Sequence, residues 1–274
     1  MMVFRMHVNL QMDCARETDR IVAFIRQTLS EANCSRLVAG LSGGIDSALV
    51  AALGARAVGA ANVMGVLLPY CTSNPTSKDH GMLVADWLEM PRYCFEITGM
   101  IEPLLAAFPA MSARRLGNIM ARCRMIVLFD QSVQFGGLVA GTGNRTETLL
   151  GYFTMHGDGA AALKPIAHLY KHQVRQLAQH LGVSQAIIDK APSADLWQGQ
   201  TDEGELGFTY DQADEVLYLI SECHWNAEQI AASHASLSVV QAIQKRMADT
   251  AFKRQPPPAL DPANPITLPP VTKL

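Results

Sequence analysis

Short apolar runs alternate along this chain with longer segments whose apolar positions recur at helical spacing. In "ETDRIVAFIRQTLSEA", Ile21, Phe24, Ile25 and Leu29 fall on one stripe and predict a helix. "RLVAGL" is an apolar run closed by Gly-Ser-Gly-Gly, and "DSALVAALGARAVG" resumes a helical period through Leu49 and Leu53; together they read as strand, tight loop, helix. The unit returns in "NVMGVLLP", "SKDHGMLVADWLEM" and "RYCFEI" as strand, helix, strand. "RRLGNIMARCRMIVLFDQS" predicts a helix with Leu116, Met120, Cys123 and Val127 inward, and "FGGLVAGTGN" a fourth strand that also ends in a glycine turn. Such alternation predicts an α/β fold, a doubly wound, mostly parallel Rossmann-like sheet with helices on both faces and ligands at the carboxyl ends of its strands.

Past residue 165 the pattern turns helical. "YKHQVRQLAQHLG" directs Val174, Leu177, Ala178 and Leu181 inward and ends at Gly182, a residue suited to a left-handed C-terminal cap. "PSADLWQGQTDEGELGFTY" lacks periodicity and is long for a passive connector. The tail from about 255, with "PPPALDPANP", is too rich in proline for a helix. No internal repeat is visible, so residues 1–274 are expected to form a single domain with a helical C-terminal part and a proline-rich tail.

Composition narrows the functional classes. A net charge of -3 with both signs interspersed provides no basic surface for nucleic acid. Six cysteines occur without any C-x-x-C spacing, which argues against a zinc site and predicts reduced, mostly buried thiols. No apolar run reaches the roughly 18 residues of a membrane span, and no apolar leader precedes a small-residue cleavage site. A cytoplasmic enzyme is expected.

The stretch "AGLSGGIDSALV" carries the candidate chemistry. Its Gly40-Leu41-Ser42-Gly43-Gly44 fits the nucleophile elbow of a serine hydrolase, and histidines such as His156, His168 and His180 follow. The elbow, however, usually follows several strands, and this loop follows the first. Extended through Ile45, Asp46 and Ser47, the same letters describe a phosphate cradle. Gly43 and Gly44 allow amide groups to converge, and the helix starting near Asp46 adds its positive end. Ser42 and Ser47 offer hydroxyls, and Asp46 a hard oxygen for magnesium. A second constellation, "GTGNRTETLLGYFTMHGDG", puts Thr142 and Glu147 at the carboxyl end of the fourth strand, on the same sheet edge as Asp46. Two carboxylates from different strands suit a magnesium-triphosphate site.

The pattern Ser-Gly-Gly-x-Asp-Ser resembles the pyrophosphate loop of the ATP pyrophosphatase superfamily. Over most of its length, through "GLSGGIDS", "LPYCTSNP", "NIMARCRM", "GTGNRTE", "GYFTMHGDG", "PIAHLYK", "KAPSADLWQGQTDEGELGFTYDQAD" and "FKRQPPP", the chain resembles the ammonia-dependent NAD synthetases. The resemblance implies amidation of deamido-NAD. The nicotinate carboxylate attacks the α-phosphorus of ATP, pyrophosphate leaves, and ammonia displaces AMP from the acyl adenylate. It also implies ATP contacts for Gly40 to Ser47, Thr142, Lys171 and Ser193, and magnesium ligation by Asp46 and Glu147. Lys171 would neutralise charge near the α-phosphate, Arg122 would touch the dinucleotide, and Asp158 would hold or deprotonate ammonium. Three positions depart from the family pattern on the dinucleotide side: Met155 in place of lysine, Ala162 in place of aspartate, and Phe252, before Lys253, in place of histidine. The implied reaction is then the same with a differently built nicotinate pocket. Nicotinate mononucleotide, or another carboxylate, is the alternative substrate. A nucleotide-binding regulator is disfavoured by the joint presence of Asp46, Glu147 and Lys171.

Two further expectations concern the surroundings of the site. The stretch Asp195 to Phe208, carrying Trp197, Gln200, Asp202 and Glu203 between Gly199, Gly204 and Gly207, suits a lid that keeps water from the adenylate. Only about 35 residues precede the first strand, too few for a glutaminase domain, so free ammonia or a separate donor protein is expected. The resemblance further implies a homodimer, with helix 115 to 134, Phe129 and Phe135 at the two-fold contact.

Overall fold

The structure is a computed structural model, described here for residues 8–259 except 198. The first helix, α1 (Cys14–Glu31), is capped by Asp13, whose side chain accepts from the Arg16 N–H. Strand β1 (Leu37–Gly40) leads into α2 (Ile45–Val58). Next come β2 (Val63–Leu67), α3 (Pro75–Trp87), β3 (Arg92–Cys94), α4 (Thr98–Ala107), α5 (Ala113–Phe135) and β4 (Leu138–Ala140). Eight elements are thus placed as the periodicity predicts, with α4 added where no helix was expected. The rest is helical: α6 (Arg145–Leu150), α7 (Lys171–Leu181), α8 (Gln185–Ile188), α9 (Asp202–Leu206), α10 (Tyr210–Ser221), α11 (Ala227–Ser233) and α12 (Leu237–Asp249).

All strand pairs are parallel, in the order β3-β2-β1-β4. The chain runs outward from β1 through β2 to β3, then returns to place β4 on the other side of β1. That reversal opens a crevice between the carboxyl ends of β1 and β4, the position at which open α/β sheets bind ligands. Beside β4 the sheet gains one more parallel bridge, Ala140 to Leu163, with the Gly141 N–H donating to the Leu163 carbonyl (2.8 Å).

Side-chain alternation along the strands divides the core between two faces. Leu37, Val63 and Leu67 join Ile25, Leu29, Leu49, Leu53 and Leu177 in one cluster, under α1, α2 and α7. Val38 and Val66 join Ile101, Met120, Cys123 and Val127 in another, under α4 and α5. A third cluster, with Tyr170, Leu217, Val240 and Ile243, forms the helical C-terminal part.

Several local expectations need correction. The buried stripe of α1 is Thr18, Ile21, Val22, Ile25 and Leu29, whereas Phe24 is 44% exposed. Spacings of three and four residues close that stripe without Phe24, which falls on its margin. Leu116 is half-buried rather than core. The third strand stops at Cys94, although the Phe95 and Ile97 amides still donate to the Leu67 and Pro69 carbonyls (both 2.9 Å). All six cysteines are free, as expected, but only Cys123 is buried, since Cys94 lies on the edge strand and Cys71 in a cleft wall. The tail from 260 lies outside the described residues, and 256–259 form no helix. Among the described residues no helix is long and apolar enough to cross a membrane.

Candidate active site

A cleft of about 800 Å³ opens over the carboxyl edge of the sheet. Its floor is the loop between β1 and α2. Gly43 has φ +73°, and a Cβ there would lie 2.1 Å from the Ser77 carbonyl oxygen, so only glycine lets the loop pass this close to α3. Ser47 Oγ donates to the Gly44 carbonyl (2.8 Å), while Ser42 Oγ lies 3.2 Å from Ser47 Oγ and accepts from the Gly44 N–H (3.3 Å). No side chain caps α2, whose N-cap is Gly44, so its first amides are left for a ligand. Among the described residues no histidine lines the cleft, which removes the partner a Ser42 nucleophile requires.

The wall across the crevice comes from β4 and α6. Asn144, fully buried, caps α6 reciprocally with Glu147: the Glu147 N–H donates to Asn144 Oδ1 (2.9 Å) and the Asn144 N–H to Glu147 Oε2 (3.3 Å). Asn144 Nδ2 also donates to Asp46 Oδ1 (2.9 Å), which ties the two sheet ends together. Between the carboxylates sits Lys171, the first residue of α7. Its Nζ lies 2.5 Å from Asp46 Oδ2, 3.5 Å from Glu147 Oε1 and 5.0 Å from the Tyr210 ring centroid.

Lys171 is only 3% exposed, unlike a solvated first-turn lysine. Burial would lower its pKa, but the Asp46 and Glu147 carboxylates outweigh that and hold the ammonium above the ordinary lysine value. Burial, then the Asp46 charge, pushes the Glu147 carboxyl up to about 8, against the pull of Lys171 and the Asn144 N–H. Two carboxyl groups therefore share one ammonium, and a second negative charge beside Asp46 is disfavoured until a further cation arrives. Among the described residues no group of three or more His, Cys, Asp or Glu side chains gathers around a common point.

A buried network positions Lys171. Thr146 Oγ1 accepts from the Lys171 N–H (3.0 Å) and donates to Asp214 Oδ1 (2.5 Å), and Asp214 Oδ2 accepts from the His172 N–H (2.7 Å). Asp202 accepts from the Tyr210 and Tyr152 hydroxyls (3.0 Å each) and from the Ala194 N–H (3.1 Å). Burial foremost, and nearby carboxylates, keep both tyrosines protonated as donors.

The other expected residues mostly converge here. Gly40, Leu41, Ser42, Gly44, Ile45, Asp46 and Ser47 line the cleft, as do Thr142, Ser193, Arg122, Met155, Asp158, Phe252 and Lys253. Arg122 is exposed and donates through Nε to the Met155 carbonyl (3.3 Å). Asp158 opens to the cleft and accepts from the Thr154 N–H (2.8 Å); the surrounding protein raises its carboxyl pKa, chiefly by desolvation. Lys253 is held by the Gly151 (2.8 Å) and Phe153 (2.7 Å) carbonyls. Ala162 is the exception. It is exposed, does not line the cleft, and its N–H donates to the Val139 carbonyl (2.9 Å) beside β4.

The expected lid is only partly one. Leu196 and Trp197 border the cleft, but Gln200 and Asp202 are buried anchors, and residues 202–206 form α9, with Glu203 accepting from the Tyr210 N–H (2.9 Å). The sequence reading missed Asn144, Tyr210, Arg124 and Lys190. Asn144 had a signal, the Asn-x-x-Glu spacing of a capping box. Arg124, whose Nε donates to the Leu68 carbonyl (3.0 Å) from a desolvated position in the cleft wall, was hidden among the other cations of α5.

The chain is similar to known proteins over most of its length. The NAD synthase family model matches residues 17–257. An NH(3)-dependent NAD(+) synthetase of Trichlorobacter lovleyi is 46% identical over 237 residues, covering 86% of this chain and 87% of its own. Among solved structures, an NH3-dependent NAD synthetase from Campylobacter jejuni matches with a TM-score of 0.78 at 31% identity, over 92% of this chain and 100% of that one. An NMN synthetase from Francisella tularensis matches with a TM-score of 0.80 at 30% identity, over 91% and 99%.

Proposed function

The chain belongs to the NAD synthase family, and from that premise we propose that it amidates deamido-NAD to NAD with ATP and ammonia. Convergence of Asp46 and Glu147 on Lys171, at the carboxyl ends of neighbouring parallel strands, is the observation that carries the reading. The amides at the start of α2 and the hydroxyls of Ser42 and Ser47 would hold the triphosphate, with Thr142 and Ser193 at the cleft walls as further ATP contacts. Lys171 stays charged and acts as a fixed cation rather than a base. The carboxylate of the nicotinate ring attacks the α-phosphorus, and pyrophosphate departs. Ammonia then attacks the acyl carbon and AMP leaves. Asp158, whose raised pKa suits exchange of a proton, would hold ammonium and accept the proton whose loss turns it into the attacking ammonia. The second proton, lost as the amide forms, passes to solvent.

Asp46 and Glu147 fit magnesium. They are hard oxygen donors on facing walls of the crevice, and the ionised form of Glu147 that burial and Asp46 disfavour would be favoured by a cation held between them. Held by Asp46 and Glu147, the ion would supply positive charge beside the triphosphate and offset charge on the departing pyrophosphate.

Arg122, Met155, Phe252 and Lys253 would line the dinucleotide side. Nicotinate mononucleotide is the second reading, favoured by the likeness to the NMN synthetase and by the uncharged Met155 and Phe252. Pyrophosphate release with deamido-NAD and with nicotinate mononucleotide as competing substrates distinguishes them; a kcat/KM favouring the mononucleotide overturns the dinucleotide assignment. A homodimer fits the exposed stripe Ile126, Phe129 and Val133 on α5, with Val133 83% exposed. Phe135 instead packs within the chain, with the Arg36 guanidinium 5.1 Å from its ring centroid. Sedimentation of Val133→Glu as a monomer, against a dimeric wild type, tests that assembly.

A further inference from the structure

The charge balance at the phosphate loop points to a residue not yet given a role. Lys171, on the β4 side, is already engaged by two carboxylates. Lys190, in the segment after α8, approaches the other side of the loop. Its Nζ donates to Ser77 Oγ (3.0 Å) and lies 3.4 Å from the Gly43 carbonyl oxygen, both neutral acceptors. Among the described residues no carboxylate comes within 4.0 Å of it. Partial burial lowers its pKa and the more distant Asp195 offsets this only in part, so the ammonium is partly desolvated with no carboxylate in direct contact among the described residues. Such a cation at a cleft wall gains most from an anion arriving in the cleft. Neighbouring Lys78 is exposed and screened by solvent, and Arg175 is engaged by Asp211.

We infer that Lys190 binds the terminal phosphates of the nucleotide and holds the pyrophosphate as it leaves. The inference rests on the adenylation reading above. In that step a carboxylate oxygen bonds to the α-phosphorus while the bond from that phosphorus to the bridging oxygen breaks. The electron pair stays on the pyrophosphate, and no proton moves. Negative charge therefore grows on the leaving group beside Gly43 and Gly44, and Lys190 is poised there, 3.4 Å from the Gly43 carbonyl oxygen and with no carboxylate within 4.0 Å among the described residues.

Three variants separate charge from bracing. Lys190→Gln can still donate to Ser77 Oγ but carries no charge, Lys190→Arg keeps the charge, and Ser77→Ala removes the brace alone. Titration of each with inorganic pyrophosphate and magnesium, beside the KM for ATP, is the measurement. Lys190→Gln is expected to weaken pyrophosphate binding and raise the KM for ATP roughly tenfold or more, the factor a charge-assisted hydrogen bond carries. Lys190→Arg and Ser77→Ala should stay within a few-fold of wild type. Wild-type pyrophosphate affinity in Lys190→Gln, or the same loss in Ser77→Ala, overturns the inference. A wild-type protein that binds pyrophosphate but releases none from ATP with either pyridine substrate overturns the proposed reaction instead.

Discussion

Lys171 and Asp46 are separated by 125 residues in the chain, yet their side chains meet at 2.5 Å, with 4% and 17% of their surfaces exposed. Removing one partner of such a buried pair strands the other charge, at a cost of about 3–5 kcal/mol. Asp46→Ala is therefore expected to lower the melting temperature. It should also lower the kcat for pyrophosphate release by roughly a hundredfold or more, the scale of losing one electrostatic element of an active site. Asp46→Asn, which keeps an oxygen for Lys171 and Asn144, should recover much of the stability but not the rate. Thermal melts and a pyrophosphate assay on both variants check this, and a wild-type rate in Asp46→Asn contradicts the assigned role.

Gly43→Ala tests the loop itself. The positive φ costs a non-glycine residue about 1–2 kcal/mol, and the new Cβ would sit 2.1 Å from the Ser77 carbonyl oxygen. Relief requires the loop or the start of α3 to move. The expected result is a loss of ATP affinity larger than the loss of stability, read by titration calorimetry and thermal melts. Gly99→Ala, where a Cβ meets nothing within 4 Å, is the control.

How much of this was legible in the sequence depends on range. The strands and major helices follow from local periodicity, and the order β3-β2-β1-β4 brings the loop after β1 beside the loop after β4. Lys171 was legible as a family position, but its burial was not, because Tyr210 and the Thr146–Asp214 bond that enclose it come from distant segments. The same holds for Asp202, which reads as a polar lid residue until Tyr152 and Tyr210 are folded against it. Phe24 and Leu116 show the other limit: an apolar residue at the margin of a helical stripe is not separable from one at its centre by spacing alone.

The three departures from the family pattern do not carry equal weight. Met155 and Phe252 line the cleft, Phe252 with 63% of its surface exposed, whereas Ala162 does not line it. Met155→Lys and Phe252→His are expected to shift the KM for deamido-NAD several-fold with little change in the KM for ATP. Ala162→Asp is expected to leave both unchanged within a factor of about two, since surface substitutions away from a site have small effects. Steady-state kinetics with each substrate varied in turn decides, and a strong effect of Ala162→Asp would place that residue nearer the dinucleotide than the cleft geometry does.

Asp214 links pH to stability. Burial raises its carboxyl pKa in the folded protein, against the opposing pull of the Thr146 hydroxyl, the His172 and Lys171 amides, and Arg175. A group that binds its proton more tightly when folded favours the folded state at low pH. That contribution is lost as pH rises from the free aspartate value of about 3.9 through the higher folded value. Asp214→Asn abolishes this titration while retaining one acceptor for Thr146 or His172. The difference in melting temperature, wild type minus variant, should therefore fall as pH is raised from about 4 and level off once the folded carboxyl has ionised. Melts at closely spaced pH values provide the measurement. A difference that grows with pH means the carboxylate gains more from its three hydrogen-bonding neighbours than it loses on burial, reversing the sign assigned to Asp214.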